Sequence, residues 1–256
     1  MAAAAQPDRR RSDDLEAGIA DVAREAKDAV GDAVQSVSAA AAETAAWVKP
    51  RLRGWIHAVT APLALAAAVV LVVLADTTGD KVACAVFGLT AVMLFGTSAV
   101  YHLGTGTWSP RTAALLRRLD HANIFLIIAG TYTPLAVMLL PSGTATVLLW
   151  VVWSGAILGL VARVLWMGAP RWLYVPVYVA LGCVAVGYIP QFAASGGAAV
   201  AWLVASGGVA YILGAVVYGT RFPNPSPRWF GFHEIFHVLT VVGFACHTVA
   251  IYLAAL

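Results

Sequence analysis

From position 54 onward the chain reads as long apolar stretches separated by brief polar ones. Seven stretches, at 54–75, 82–104, 119–140, 144–167, 171–190, 198–220 and 229–254, each come near the ~20 residues that a helix rising about 1.5 Å per residue needs to cross hydrocarbon. None alternates apolar and polar positions as a barrel strand does, so helices are the expected solution for backbone groups that lipid cannot hydrogen-bond. Short connections at 76–81, 141–143 and 190–197 alternate with others at 109–118, 167–170 and 221–228. The upstream pattern differs: Leu15, Ile19, Val22, Ala26, Val30, Val34 and Val37 recur at steps of three or four, which predicts an amphipathic helix with an alanine-rich continuation. Its polar face is mixed in sign rather than rich in Lys and Arg, so it reads as a solvated extension and not as a helix lying on the membrane.

Composition supports this division. Of 256 residues, 61% are hydrophobic and 11% charged, less than half the charge of an ordinary soluble domain. The first 53 residues hold 8 of the 16 Lys and Arg and 9 of the 13 Asp and Glu. We therefore expect two regions, an amphipathic or flexible cytosolic extension over 1–50 and a membrane domain over 51–256. The Ala-rich, then charged start has no apolar core before a cleavage site, so no secretory signal is expected. The three cysteines, Cys84, Cys183 and Cys246, lie inside apolar stretches without CxxC spacing and read as packing residues. A net charge of +3 from scattered loop bases lacks the basic stripe of a nucleic-acid binder, and DNA and RNA are not expected partners.

The bases also orient the chain. Arg51 and Arg53 precede the first span, Arg111, Arg117 and Arg118 join the second and third, Arg163 and Arg171 flank the fourth and fifth, and Arg221 and Arg228 join the sixth and seventh. The opposite connections carry only Lys81. By the positive-inside rule this predicts an all-α, seven-span bundle of the cell membrane with a cytoplasmic N-terminus and an outward C-terminus. Trp47, Trp55, Trp108, Trp166, Trp172 and Trp229 fall at the same predicted ends, where an indole prefers the headgroup boundary. Gly155 and Gly159 match GxxxG, a sign of close helix packing.

Ionisable groups inside spans are costly and mark candidate sites. Only four acids lie beyond residue 53: Asp76 and Asp80 in an outer connection, and Asp120 and Glu234 at span starts, both beside histidines. In the second span Ser98 and His102 stand four residues apart, hence on one face, and in the seventh His233 and His237 do the same. All five groups, Ser98, His102, Asp120, His233 and His237, are predicted within one or two turns of the cytosolic face. Three imidazoles with a fourth position left for water make the open arrangement of a catalytic zinc site. Asp120 is then placed to hydrogen-bond or deprotonate the water, and Ser98 to orient a ligand or bind a substrate oxygen. The plain alternative is that the histidines bond to one another or to backbone carbonyls. His247, about 15 Å farther along the helix than His237, is outside reach of that ion and reads as a buried hydrogen-bonding residue. His57 and His121 read as boundary residues or as neighbours supporting the site.

Residues 233–237 also spell HExxH, in which Glu234 would be the general base of an intramembrane metalloprotease. Only 19 residues follow, and the metzincin position for a third histidine is Gly243. That reading is a minor alternative.

Three pieces carry a family resemblance: Gly96-Thr-Ser-Ala-Val-Tyr-His102, Leu119-Asp-His-Ala-Asn-Ile-Phe-Leu-Ile-Ile-Ala-Gly-Thr-Tyr-Thr-Pro134, and His233-Glu-Ile-Phe-His237. In order and spacing, over about residues 50–256, they resemble the hemolysin III proteins, within the wider group of progestin and adipoQ receptors, adiponectin receptors and alkaline ceramidases. The resemblance implies the seven-span, N-in architecture, zinc bound by His102, His233 and His237, Asp120 as a water-holding carboxylate and Ser98 as a serine beside the ligands. Adiponectin receptors and alkaline ceramidases carry Gln or other residues where Glu234 stands, so Glu234 is expected to supply rim polarity or a charge at the helix N-terminus.

These observations lead us to expect a zinc-dependent hydrolase of a lipid amide or ester, with membrane lipids as substrate or ligand. The alternative is a non-enzymatic membrane-lytic or receptor protein in which zinc is structural. One fold serves several ends, so the choice rests on the site.

Overall fold

A computed structural model of the chain describes Asp21 and residues 23–37, 52–166, 168–226 and 228–256. The chain divides into two compact units, 1–49 and 50–256. In the first, the described residues are helical and exposed, with Val30, Val34 and Val37 forming one apolar line, and Arg24 pairs with Asp21 at 3.3 Å. The remainder of the expected amphipathic helix and its alanine-rich continuation lie outside the described residues.

The second unit is helical throughout its regular structure, with no strand among the described residues. Its helices are α1 (Trp55–Leu74), α2 (Thr78–Leu103), α3 (Pro110–Leu139), α4 (Ser142–Leu165), α5 (Arg171–Cys183), α6 (Ile189–Thr220) and α7 (Phe232–Ala255), with a 3₁₀ segment at Val184–Tyr188 between α5 and α6. Among the described residues, six helical runs are long and apolar enough to cross a membrane, the fifth being the 50 residues Arg171–Thr220. A straight helix of that length would extend about 75 Å. Instead its two ends meet: Arg171 Nη1 donates to the Tyr218 carbonyl at 3.0 Å, and the Tyr174 and Tyr218 hydroxyls lie 3.2 Å apart. The run is broken at Gly197, with φ 82° and ψ 168°, a region that only glycine enters without steric cost.

Three expected boundaries move. α3 begins at Pro110, nine residues before the apolar stretch, because the Ser109 hydroxyl accepts from Thr112 N–H and Pro110 supplies a preset φ at the first turn. The connection expected at 109–118 is therefore mostly helix. Similarly, 190–197 is helical up to Gly196, Pro190 being tolerated in a first turn. At the start of α2 the Thr77 hydroxyl accepts from Asp80 N–H, and Asp80 accepts from Thr77 N–H in return, a reciprocal cap that starts the helix four residues early.

The core sits among α2, α3, α4 and α7, with Phe87, Phe95, Phe125, Leu148, Val152 and Ile251 almost fully buried. α6 packs along α7, and α1, α2 and α3 each pack along the next helix, whereas α5 touches its neighbours sparsely. Where α5 yields to the 3₁₀ segment, Tyr132 from α3 supplies the missing bonds: its hydroxyl donates to the Gly182 carbonyl at 2.7 Å and accepts from Ala185 N–H at 2.5 Å. A buried side chain thus satisfies backbone groups that lipid would leave bare.

The GxxxG pair is spent inside the bundle. A Cβ at Gly159 would stand 2.2 Å from the ring of Phe125, and one at Gly155 2.8 Å from Leu181. Gly159→Ala is expected to cost about 1–3 kcal/mol through overpacking, read as a lower thermal midpoint in detergent; Gly96→Ala, where a Cβ meets nothing within 4 Å, should leave the midpoint unchanged.

Candidate metal centre

Periodicity puts Ser98 and His102 on the buried face of α2, and both are almost inaccessible. α7 starts just before His233, so its first two turns carry His233 and His237 onto the same level. The nitrogens that His102, His233 and His237 offer lie within 4.8 Å of one another, and the three could hold a metal ion. Ring centroids stand 5.0 Å apart for His102 and His233, 5.2 Å for His102 and His237, and 4.7 Å for His233 and His237. Imidazole nitrogens at ~2.05 Å from a tetrahedral zinc would be about 3.4 Å apart, so the cluster fits after closing by about an ångström. His237 Nδ1 is buried without a hydrogen bond. A site made only of histidines bonding to one another or to backbone leaves that atom unsatisfied, which favours an ion or its ligand as the partner.

Asp120 of α3 faces the cluster, its Oδ2 3.7 Å from His102 Nε2 and 3.9 Å from His121 Nδ1. Ser98, one turn before His102 on α2, is buried beside the same carboxylate. The five residues singled out from the sequence are therefore brought to one end of the bundle.

Other residues around the cluster were less visible in the sequence. His57, expected at the boundary or in support, is buried, and its ring stacks on His237 at 3.8 Å with 13° between planes. Gly54 adopts φ +94°, and a Cβ there would press to 3.0 Å on the His102 Cβ, so glycine allows the start of α1 to lie against a cluster residue. His121 bonds through Nδ1 to the Arg117 carbonyl at 2.7 Å, which makes Nδ1 the donor in a neutral ring and leaves Nε2 to accept from the Tyr218 hydroxyl at 3.2 Å. Tyr178 donates to the His121 carbonyl at 3.2 Å, and the Arg171 guanidinium lies 4.5 Å over the Tyr218 ring. These contacts fasten α3, α5 and α6 around the site. His247 is a hydrogen-bonding residue as expected, its Nε2 3.1 Å from the Val204 carbonyl.

Glu234 gains a role that spacing did not reveal. It is fully buried, its Oε2 accepts from Gly231 N–H at 2.8 Å, and its Oε1 accepts from Arg53 Nε at 2.8 Å. The first bond caps α7, in line with an N-terminal charge. The second ties the entry of α1 to the entry of α7. Arg53 read from the sequence only as a topology-setting base, because its partner is 181 residues away.

A cavity of about 310 Å³ opens from the cluster. His57, Ser98, Asp120, His233 and His237 line one end, and the remainder runs between α3, α5, α6 and α7 along surfaces such as Ile127, Val179, Val204 and Ile212. An apolar pocket with a few convergent polar groups is the usual form of a small-molecule site.

Helices of membrane-spanning length around a buried histidine cluster define a multi-pass helical membrane protein with a potential metal centre. The chain belongs to the Haemolysin-III related family, whose sequence model matches residues 45–248. It is 30% identical over 181 residues to the Hemolysin-3 homolog of Bacillus subtilis (strain 168), covering 69% of this chain and 83% of that protein. It is 28% identical over 166 residues to Hemolysin-3 of Bacillus cereus, covering 63% and 74%.

The Arg53–Glu234 pair makes an asymmetric prediction. Its side chains are 23% and 0% exposed, so removing the arginine strands a carboxylate with no route to water, whereas removing the carboxylate leaves a guanidinium that can turn outward. Arg53→Met should destabilise the protein by about 3 kcal/mol; Glu234→Gln, which keeps an acceptor for Gly231 N–H, by about 1 kcal/mol. Thermal unfolding of the two variants in one detergent measures the difference.

Proposed function

We propose that this protein is a zinc-dependent hydrolase of a lipid amide or ester, with seven membrane spans, a cytoplasmic N-terminus and a place in the cell membrane. The reversal between Arg171 and Tyr218, which divides the longest helical run in two, supports the span count. The Arg-rich connections, with Trp55, Trp166, Trp172 and Trp229 exposed beside them, support the orientation.

One observation carries the catalytic reading: of three clustered imidazoles, those of His233 and His237 line the end of an apolar cavity together with the Asp120 carboxylate. Bound zinc supplies the Lewis acidity that activates water and polarises a carbonyl at neutral pH. His102, His233 and His237 would hold it. Asp120 takes a proton from the attacking water and returns it to the leaving nitrogen or oxygen, so the bond to the carbonyl carbon is exchanged for one to hydroxide with protons balanced. Ser98 donates to a substrate oxygen, and the cavity excludes water from the acyl chain. His57, stacked on His237, restrains that ring's rotation. The products are a fatty acid and a released head component.

A second reading is a non-enzymatic membrane-lytic or signalling protein in which the metal staples α2 to α7; the Hemolysin-3 names of the relatives favour it. The HExxH protease reading loses support, since both Glu234 oxygens are engaged by Arg53 and Gly231 rather than turned to the cluster.

Purified protein should carry about one zinc per chain by elemental analysis and turn over one of ceramides, N-acyl lipids or lysolipids. Asp120→Asn should keep the zinc and lower turnover by about 10²-fold or more, while His233→Ala should lose most of the metal. Zinc retained with no turnover across those lipids, and a lytic output indifferent to Asp120→Asn, would establish the second reading instead.

A further inference from the structure

Deep in the cavity, the apolar wall is interrupted by two polar groups that none of the described residues satisfies. His247 of α7 and Tyr211 of α6 both line it, with ring centroids 5.4 Å apart. His247 is 8% exposed, and the Tyr211 hydroxyl and His247 Nδ1 are both buried without a hydrogen-bond partner. Two glycines make the room: a Cβ at Gly207 would stand 2.6 Å from His247 Nε2, and one at Gly243 2.8 Å from the Tyr211 ring. Two rings with polar atoms are thus seated between α6 and α7 where leucine and valine would fill the space without unpaired groups.

The bonding state of each is defined. His247 Nε2 faces the Val204 carbonyl at 3.1 Å; a carbonyl only accepts, so in the neutral ring Nε2 carries the proton and Nδ1 is an acceptor. The Tyr211 hydroxyl has a proton to donate. Thr131 and Thr240 also line the cavity, but their hydroxyls already donate to the carbonyls of Ile127 and Phe236 at 2.8 Å. An unsatisfied acceptor beside an unsatisfied donor matches a group that offers one of each, and an unpaired buried polar atom is costly enough to favour it.

We infer that this level of the cavity is a subsite for a hydroxyl carried on the acyl chain of the ligand, donating to His247 Nδ1 and accepting from Tyr211. His247 lies ten residues beyond His237 on α7, about 15 Å along the helix. A chain whose carboxyl end sits at the histidine cluster reaches that level roughly ten to twelve carbons along. The ligand class is therefore a mid-chain hydroxy-fatty acyl lipid. The inference rests on the reading of the cavity as an acyl site, but not on turnover or on the metal.

Displacement of a fluorescent fatty acid from the full chain in detergent tests it, with octadecanoic, 2-hydroxyoctadecanoic and 12-hydroxyoctadecanoic acids as competitors. The 12-hydroxy acid should bind about tenfold more tightly than the other two, as expected for one or two new buried hydrogen bonds. Tyr211→Phe, which keeps the ring over Gly243, should remove most of that preference. Equal affinity for all three acids, or a preference untouched by Tyr211→Phe, overturns the hydroxyl subsite while the acyl cavity stands. Failure of every acid to bind overturns the acyl cavity as well.

Discussion

A polar group in hydrocarbon has no water to turn to, and most of what is specific about this protein follows from where its polar groups find partners instead. Backbone groups are satisfied within helices, and where α5 loosens, Tyr132 supplies a donor and an acceptor from α3. The fully buried carboxylate of Glu234 is held by Arg53 and by the first turn of its own helix. Buried imidazoles are fewer and less easily satisfied, and those of His57, His102 and His237 gather with His233 at one end of the bundle. The same constraint that forces the fold therefore concentrates the chemistry.

The site is an assembly of helix ends. His102 comes from the last turn of α2, Asp120 from about three turns into α3, and His233 and His237 from the first turns of α7. Their level is maintained by contacts outside the cluster. Gly54 lets α1 approach His102, Arg53 draws the start of α1 to the start of α7, and His57 stacks on His237. α5 and α6 reach the site through Tyr178 and Tyr218, both bonded to His121. A cavity lined mainly by aliphatic side chains then leads away from the polar end, which suits a ligand with a reactive head and a long apolar body.

Much of this was legible along the chain. Apolar stretches of membrane-spanning length, their helical character and the separation of a charged N-terminal region needed only hydropathy and periodicity. Ser98 with His102 and His233 with His237 were legible as pairs because an i, i+4 spacing places two side chains on one helical face whatever the tertiary structure. The early start of α3 was less legible: arginines at 111, 117 and 118 looked like a loop, but Ser109 and Pro110 make a helix start that overrides polarity.

By itself the sequence determined the local rules: which stretches must be helical in lipid, which residues share a face, and which ionisable groups are too costly to be incidental. Tertiary structure alone decided the rest, including the partner of Glu234, the stacking of His57 on His237, and the Tyr211 hydroxyl and His247 Nδ1 left without partners within the cavity. The physical reason is range. Helical periodicity is a property of neighbours three and four residues apart, whereas a contact between residues 53 and 234 depends on the packing of every helix between them.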